Sequence, residues 1–196
     1  MPRCCSQLCN FWQIIKIMPK WLVLFRGINV GGNNIVAMKK LIEVLTTAGC
    51  LDVSSYIQSG NVVLSHQESD KQTLSIQIAH LVEKNFGFTP QVMLLNVQEF
   101  KAAASNNPFP EAENEPKTLH LFFLGSAPER ADMKGLEAIK KDNESFKVVD
   151  KVFYLHAPDG IGRSKLAVRA EKLLAVPTTA RNWNTVTKLF ALFTGN

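Results

Sequence analysis

Residues 21–34 read Trp21-Leu22-Val23-Leu24-Phe25-Arg26-Gly27-Ile28-Asn29-Val30-Gly31-Gly32-Asn33-Asn34, an apolar run that leads into a loop of glycine and asparagine. The apolar run predicts a buried strand. The loop carries few bulky side chains, so its backbone can approach a ligand closely, and Arg26 stands at its base. The stretch predicts a strand followed by a ligand-contacting loop.

The residues that follow alternate between helical and strand patterns as far as residue 96. Apolar residues at helical spacing predict a helix from Met38 that ends near Gly49, and a second helix from about Asp70 to Gly87. Residues 53–58 and 62–65 flank Ser59-Gly60-Asn61 and predict a tight hairpin. A strand over residues 91–95 completes the order strand, helix, hairpin, helix, strand, which is typical of a ferredoxin-like unit.

A similar order follows a connector with a short helix at 97–104 and a polar, proline-bearing stretch. We expect a strand over 118–124, a helix over 128–141 with Met133 turned inward, and a hairpin of 146–149 with 152–156. Ser164 is a good N-cap for the next helix, and a last helix follows the polar residues 178–185. The fold class predicted is α+β, with two ferredoxin-like (βαββαβ-type) halves, antiparallel sheets and an imperfect internal duplication.

The predicted domain organisation separates an N-terminal segment from two halves. Residues 1–17 hold three of the four cysteines and precede Met18, so we interpret them as an N-terminal extension or a misassigned start, with a metal or membrane element as the alternative. They are too short to span a membrane. The predicted boundaries are 1–17 for this extension, 18–96 for the first half, 97–117 for the connector and 118–196 for the second half.

The charge of the chain argues only weakly for nucleic acid. The 196 residues include 22 basic and 17 acidic side chains, a formal net charge of +5. Arg3, Lys16 and Lys20 fall in the first 20 residues, which have no acid, so the rest of the chain has 19 basic and 17 acidic residues, or +2. This excess is too small to predict polyanion binding. Cys50 has no evident partner, which favours a reducing cytoplasm.

Three polar stretches can join the opening loop in a binding site. They are the hairpin tip at 56–61 and two predicted helix entries, at 160–165 and 178–185. Helix N-termini offer unpaired N–H groups to an anion, and arginine binds phosphate or carboxylate with two prongs. The predicted ligand-binding residues are Arg26, Asn29, Gly31, Gly32, Asn33, Asn34, Arg163, Ser164, Lys165, Arg181, Asn182 and Asn184.

Plainer interpretations stay open beside these. Ser164 and Asn182 can be simple N-caps, and the hairpin tip can be only a turn. The glycine loop lacks the lysine of a Walker motif, the four histidines are scattered, and no cofactor or metal is predicted.

Four of these stretches together resemble a known family. They are Arg26-Gly27-Ile28-Asn29-Val30-Gly31-Gly32, Tyr56-Ile57-Gln58-Ser59-Gly60-Asn61-Val62, Gly162-Arg163-Ser164 and Thr179-Ala180-Arg181-Asn182-Trp183-Asn184-Thr185. In this order, from about residue 20 to the C-terminus, they are similar to the bacterial domain of unknown function 1697 (DUF1697). The resemblance implies a cytosolic α+β protein with ferredoxin-like halves, and no activity can be inferred from it.

The function predicted is the binding of a small anionic or phosphorylated ligand in a cleft between the halves, where the opening loop meets Arg163 and Arg181. The sequence names no general base, so whether a reaction follows binding is left open, as is the oligomeric state. One alternative is an RNA or single-stranded nucleic-acid-binding module that stacks bases on Phe153 and Tyr154. Another is a protein-interaction or oligomerising scaffold. No membrane association is predicted.

Overall fold

The computed structural model of the protein describes residues 18–194. Its first half contains four strands and three α-helices. These are β1 (Lys20–Arg26), α1 (Met38–Thr47), β2 (Leu51–Tyr56), β3 (Asn61–Ser65), α2 (Lys71–Phe86), β4 (Gln91–Asn96) and α3 (Val97–Ser105). The strands form an antiparallel sheet in the order β2-β3-β1-β4, so β4 is one of its edges.

The second half repeats this arrangement after a 3-10 turn at Pro110–Asn114. Its elements are β5 (Leu119–Leu124), α4 (Met133–Ile139), β6 (Ser145–Val149), β7 (Val152–His156), α5 (Lys165–Leu174), β8 (Thr178–Asn182) and α6 (Trp183–Thr194). The second antiparallel sheet has the order β6-β7-β5-β8. The predicted α+β class with two similar halves is confirmed. The domain boundaries stay predictions, and the proposed extension at 1–17 lies outside the described residues.

Strand β8 was missed by the sequence analysis. The sequence predicted a helix entry over 178–185, but residues 178–182 pair with β5, and only Trp183 begins the helix. Thr178 and Thr179 are β-branched and suit a strand. The polar side chains hid this because Asn182 does cap α6, where its Oδ1 accepts from the Thr185 N–H at 3.0 Å. With β8 in place, both halves share the order β, α, β, β, α, β, α.

Helix α4 is shorter than predicted, and Met133 does not face the core. The side chain of Asp132 accepts from the Gly135 N–H at 2.8 Å, which starts the helix at Met133 rather than near residue 128. Met133 therefore lies in the first turn and is 44% exposed, whereas Leu136 is buried. The other predicted caps are confirmed: Asp70 caps α2, Ser164 caps α5, and Gly87 ends α2 with a φ of 82°.

Strand periodicity divides the apolar side chains among three cores. In β1, Val23 and Phe25 pack against α1 and α2, while Leu22 and Leu24 face the second half. In β5, Leu121 and Phe123 face the first half. Phe122 and Leu124 of β5 pack in a core with α4 and α5. Successive side chains of a strand point to opposite faces, so each sheet is covered on both sides.

The inner faces of the two sheets share one core with α3 and α6. Phe100 of α3 and Leu189 and Phe193 of α6 are buried between the halves, with ring centroids of Phe100 and Phe193 6.0 Å apart. These helices fill only part of the space between the sheets, and a cleft lies beside α3. None of the described helices combines the length and the apolar character that crossing a membrane requires.

Candidate functional site

The cleft has a volume of about 710 Å³, which is within the range of small-molecule sites. One wall is strand β4, with the first turns of α2 and the C-terminal part of α3 beside it. The other wall comes from the second half: the end of β5, the β6–β7 turn and the start of β8. The site therefore exists only because the two halves pack together.

Most of the cleft surface is apolar. Met93 and Leu95 of β4 belong to the shared core and also line the cleft. Ala102 and Ala103 line it from α3, and their short side chains leave open space beside the helix. The remaining apolar lining residues are Leu24, Val92, Leu94, Phe123, Leu124, Val149, Val152 and Pro177. A ligand with an apolar body is suited to this surface.

Charged side chains stand at the margin of the cleft. Lys71 at the start of α2 is paired with Glu99 of α3, and both are 39% exposed. Asp150 and Lys151 lie in the exposed β6–β7 turn of the opposite wall. Within residues 18–194, Lys151 has no ion-pair partner. Each half of the protein therefore places a lysine side chain at the margin of the cleft.

Arg26 joins the two halves at one end of the cleft. Its Nη1 donates to Oε1 of Gln91 at 2.6 Å, and its Nη2 donates to Glu171 of α5 at 2.9 Å. Glu171 also accepts from the main-chain N–H of Thr178 at 3.2 Å, so it holds β8 as well. Arginine has five N–H donors. No side-chain or main-chain acceptor of the described residues contacts Nε, so part of the guanidinium is available to a ligand.

Tyr154 is a buried wall of the cleft rather than an acid or base. Its hydroxyl donates to the carbonyl oxygen of Ala103 at 2.7 Å, across the two halves. Burial, with a smaller effect from the charge of Asp150, raises the pKa of Tyr154 to about 12. The hydroxyl therefore stays protonated at neutral pH and acts as a structural donor.

Arg181, predicted as an anion ligand, is buried and its donors contact neutral oxygens. Nη2 donates to the carbonyls of Phe25 and Ser59, both at 3.2 Å, and Nε donates to Oδ1 of Asn61. Nη1 donates to Thr179 Oγ1 at 2.9 Å. Burial lowers the pKa of Arg181 to about 10. The guanidinium of Arg181 thus joins β8 to the β2–β3 hairpin of the first half.

The opening loop folds on itself and lies outside the cleft. Asn29 is in the left-handed region with a φ of 54°, and its side chain bonds both main-chain groups of Val36 and the carbonyl of Gln58. Asn34 donates to the carbonyl of Gly27 at 3.0 Å. Gly31, Gly32 and Asn33 form an exposed turn with open space beside both glycines. The asparagines thus stabilise the loop.

The remaining predicted ligands stand apart from the cleft. Ser164 is buried and accepts from the Ala167 N–H at 3.2 Å as the cap of α5. Arg163 and Lys165 are exposed, and Asn184 lies in the first turn of α6. Of the twelve predicted residues, Arg26 alone lines the cleft. Arg181 lies close to Arg26, because it donates to the carbonyl of the preceding residue Phe25. Arg163 is not part of this cluster. The roles of these three arginines toward a ligand stay predictions.

Lys71 and Lys151 were not predicted as site residues, and Tyr154 was named only as a base-stacking residue. No local pattern distinguishes them, because they become neighbours only when the two halves pack. The base-stacking role suggested for Phe153 and Tyr154 is wrong: both are at most 1% exposed and pack in separate cores. Among the described residues, no three His, Cys, Asp or Glu side chains gather as metal ligands.

Comparison with known proteins gives the family. Residues 18–154 match the family described as protein of unknown function (DUF1697). The chain belongs to this family. No curated protein matches it. A solved structure, that of the conserved bacterial protein SP0830 from Streptococcus pneumoniae, is similar to this DUF1697 protein at 25% identity and a TM-score of 0.66, covering 90% of this chain and 99% of the other.

Proposed function

We propose that this DUF1697 protein binds a small ligand with an apolar body and an anionic group in the cleft between its halves. The observation that carries the proposal is the combination of an apolar cleft of about 710 Å³ with Arg26 at its margin. Arg26 is held in place by Gln91 and Glu171, and its Nε–H has no acceptor among the described residues. A positioned guanidinium binds carboxylate or phosphate more strongly than a mobile lysine does.

The apolar wall supplies the rest of the affinity. Burying apolar surface contributes about 25 cal/mol per Å². Arg26 and Lys151 lie at the margin of the cleft, whereas Ala102 and Ala103 line its side. The anionic group of the ligand is therefore directed to the margin and its apolar body to the interior of the cleft. A cytoplasmic location fits this proposal, since Cys50 is buried and has no disulfide partner among residues 18–194.

The proposal is tested with a panel of aliphatic and aromatic carboxylates, their phosphate-ester counterparts and uncharged amides of the same shape. Carboxylates or phosphates should raise the melting temperature of the full chain, and the amides should not. A ligand at a hundred times its Kd stabilises by about 2.7 kcal/mol. Arg26→Met should weaken binding at least about tenfold, because a charged hydrogen bond contributes about 1.5–3 kcal/mol.

Two matched variants separate binding from stability. Glu171→Gln removes the negative charge beside Arg26 but retains an amide oxygen that accepts from its guanidinium, so Arg26 stays positioned and binding should be preserved or strengthened. Arg163→Met removes an exposed arginine outside the cleft and should leave binding unchanged. If no anion stabilises the protein, or if Arg26→Met binds as the wild type does, the proposal is wrong.

A further inference from the structure

Strand β4 has an open edge inside the cleft. Main-chain groups of a strand alternate between its two neighbours. The Phe25 N–H donates to Gly60 at 2.8 Å, so Phe25 points toward the β3 side, and Leu24 and Arg26 point toward β4. Leu24 and Arg26 face Met93 and Gln91, which therefore use their main-chain groups within the sheet.

Val92 and Leu94 consequently point their N–H and C=O groups away from β1. Asn96 has the same orientation, and its N–H indeed leaves the sheet to bond Glu99 Oε2 at 2.9 Å. Within the part of the chain that the structure describes, the outward groups of Val92 and Leu94 have no hydrogen-bond partner. Both residues line the cleft. Two donors and two acceptors are thus presented to whatever occupies it.

The equivalent edge in the second half is bonded in part by side chains of that half. The Leu124 N–H donates to Lys151 at 2.9 Å, so the same alternation leaves Thr178 and Ala180 pointing outward from β8. The Thr178 N–H donates to Glu171 at 3.2 Å, and the Ala180 carbonyl accepts from Arg181 at 2.7 Å. Side chains therefore bond one donor and one acceptor of the β8 edge, whereas the outward groups of Val92 and Leu94 on β4 stay unbonded within residues 18–194.

We propose that the ligand is a short extended peptide with a free C-terminal carboxylate, which adds to β4 as an antiparallel strand. This inference rests on the proposed function and names the class of its ligand. An antiparallel peptide runs from the Asn96 end of β4 to the Gln91 end, where Arg26 lies. Its carboxylate then meets the guanidinium, while its main chain bonds Val92 and Leu94. Strand addition of this kind obtains affinity from main-chain bonds and specificity from alternate side chains.

The register also assigns the side chains of the peptide. Its last residue pairs with Val92 and its third from last pairs with Leu94. The penultimate residue lies opposite Met93, whose side chain belongs to the core between the sheets. The penultimate side chain therefore points into the cleft, toward Ala102 and the second half, and is apolar. The other two point toward the start of α2, where Lys71, Gln72 and Ser75 are polar.

The experiment uses N-acetylated tetrapeptides with a free carboxyl, in which only the penultimate residue varies among leucine, phenylalanine, valine, glutamate and lysine. Binding to the full chain is measured by calorimetry. Members with an apolar penultimate residue should bind at least about tenfold more tightly than the charged members, given the desolvation cost of burying a charge. C-terminal amidation should cost a further tenfold or so, and this difference should vanish in Arg26→Met.

N-methylation of the best tetrapeptide tests the strand pairing itself. Methylation of the last or the third-from-last amide should weaken binding about tenfold or more, because each loses a bond to β4 and clashes with it. Methylation of the penultimate amide, which points away, is the matched control and should change binding less than about threefold. Hydrogen exchange should show the Val92 and Leu94 amides slowed by the peptide, with Met93 already slow.

The outcomes separate the two proposals. If simple carboxylates bind but none of the tetrapeptides does, the peptide inference is overturned and the anion site stands. Equal effects of all three N-methyl groups would also overturn it. If neither acids nor peptides bind, the proposed function itself fails.

Discussion

The guanidinium of Arg181 donates to the carbonyl oxygen of Phe25, 156 residues earlier in the chain, at 3.2 Å. This bond joins β8 of the second half to the end of β1, beside the hairpin carbonyls of Ser59 and Gly60 that accept from the same nitrogen. Because Arg181 is buried, its removal leaves several acceptors without a donor. This side chain therefore helps to hold the two halves, and hence the walls of the cleft, together.

Arg181→Met should therefore destabilise the protein by about 3 kcal/mol or more, since each buried group left unsatisfied costs about 1–3 kcal/mol. Urea denaturation measures the loss. Arg163→Met is the control: it removes an exposed arginine and should change the free energy of unfolding by no more than about 0.5 kcal/mol. Equal stability of the two variants would show that the buried bonds are not required.

Gly60→Ala should be more costly than the same change at Gly31. Both glycines have positive φ, 74° and 59°, so each alanine carries a backbone cost of about 1–2 kcal/mol. A Cβ on Gly60 would also come within 2.9 Å of Ile28 and Phe25, whereas Gly31 has open space. Such overpacking adds about 1–3 kcal/mol. Equal losses in the two variants, measured by thermal unfolding, would contradict the close approach of the hairpin tip to β1.

Tyr154→Phe should cost about 1 kcal/mol at pH 7, the value of one buried hydrogen bond to Ala103. Burial raises the pKa of Tyr154 from 10.0 to about 12 in the folded protein. A raised pKa gives stability that is present below the unfolded value and is lost as the pH rises through the folded value. The advantage of the wild type over Tyr154→Phe should therefore shrink between pH 10 and about 12. A constant difference over that range would contradict the burial of the hydroxyl.

Glu171→Gln should cost only about 0.2–1 kcal/mol, because the Arg26–Glu171 pair is 40% exposed on both sides. The loss should disappear in 1 M salt, where the screening length falls to about 3 Å. The amide retains an oxygen for the Thr178 N–H. A loss above about 2 kcal/mol that persists in high salt would mean that the pair is a main support of the interface.

Ala102→Trp should block the cleft without unfolding the protein, since Ala102 is an exposed position of α3 that lines it. Affinity for the carboxylates and phosphates of the panel should fall at least about tenfold through steric exclusion. The control is Ala191→Trp, at an exposed position of α6 outside the cleft. Unchanged affinity in Ala102→Trp would place the ligand elsewhere.

Local patterns were enough to predict most of the fold. The apolar run of β1, the β-rich residues of β3, the helical spacing from Met38 and the caps Asp70 and Ser164 are properties of short segments. Strand β8 was missed because five residues with mixed polarity carry a weak period, and Asn182 gave a genuine cap signal just after them.

The site was harder to predict because its residues meet only through packing between the halves. Arg26 was correctly placed at the end of a strand, but sequence spacing does not reveal that Arg181 is buried against first-half carbonyls. Asparagine and glycine in the opening loop indicated a special backbone, which the structure has. The same residue types serve a self-bonded turn and a ligand contact, so composition does not distinguish the two.

The duplicated halves suggest two equivalent sites, but the partly covered edge of β8 breaks that pseudo-symmetry. Glu171 accepts from the outward N–H of Thr178 and Arg181 donates to the outward carbonyl of Ala180, while no side chain of the described residues bonds the outward groups of Val92 and Leu94 in β4. Of the two equivalent strand edges, the β4 edge at Val92 and Leu94 is therefore the one whose outward donors and acceptors are all unbonded within residues 18–194. The expected stoichiometry is one ligand per chain, and the second half serves as the scaffold that shapes the binding surface of the first.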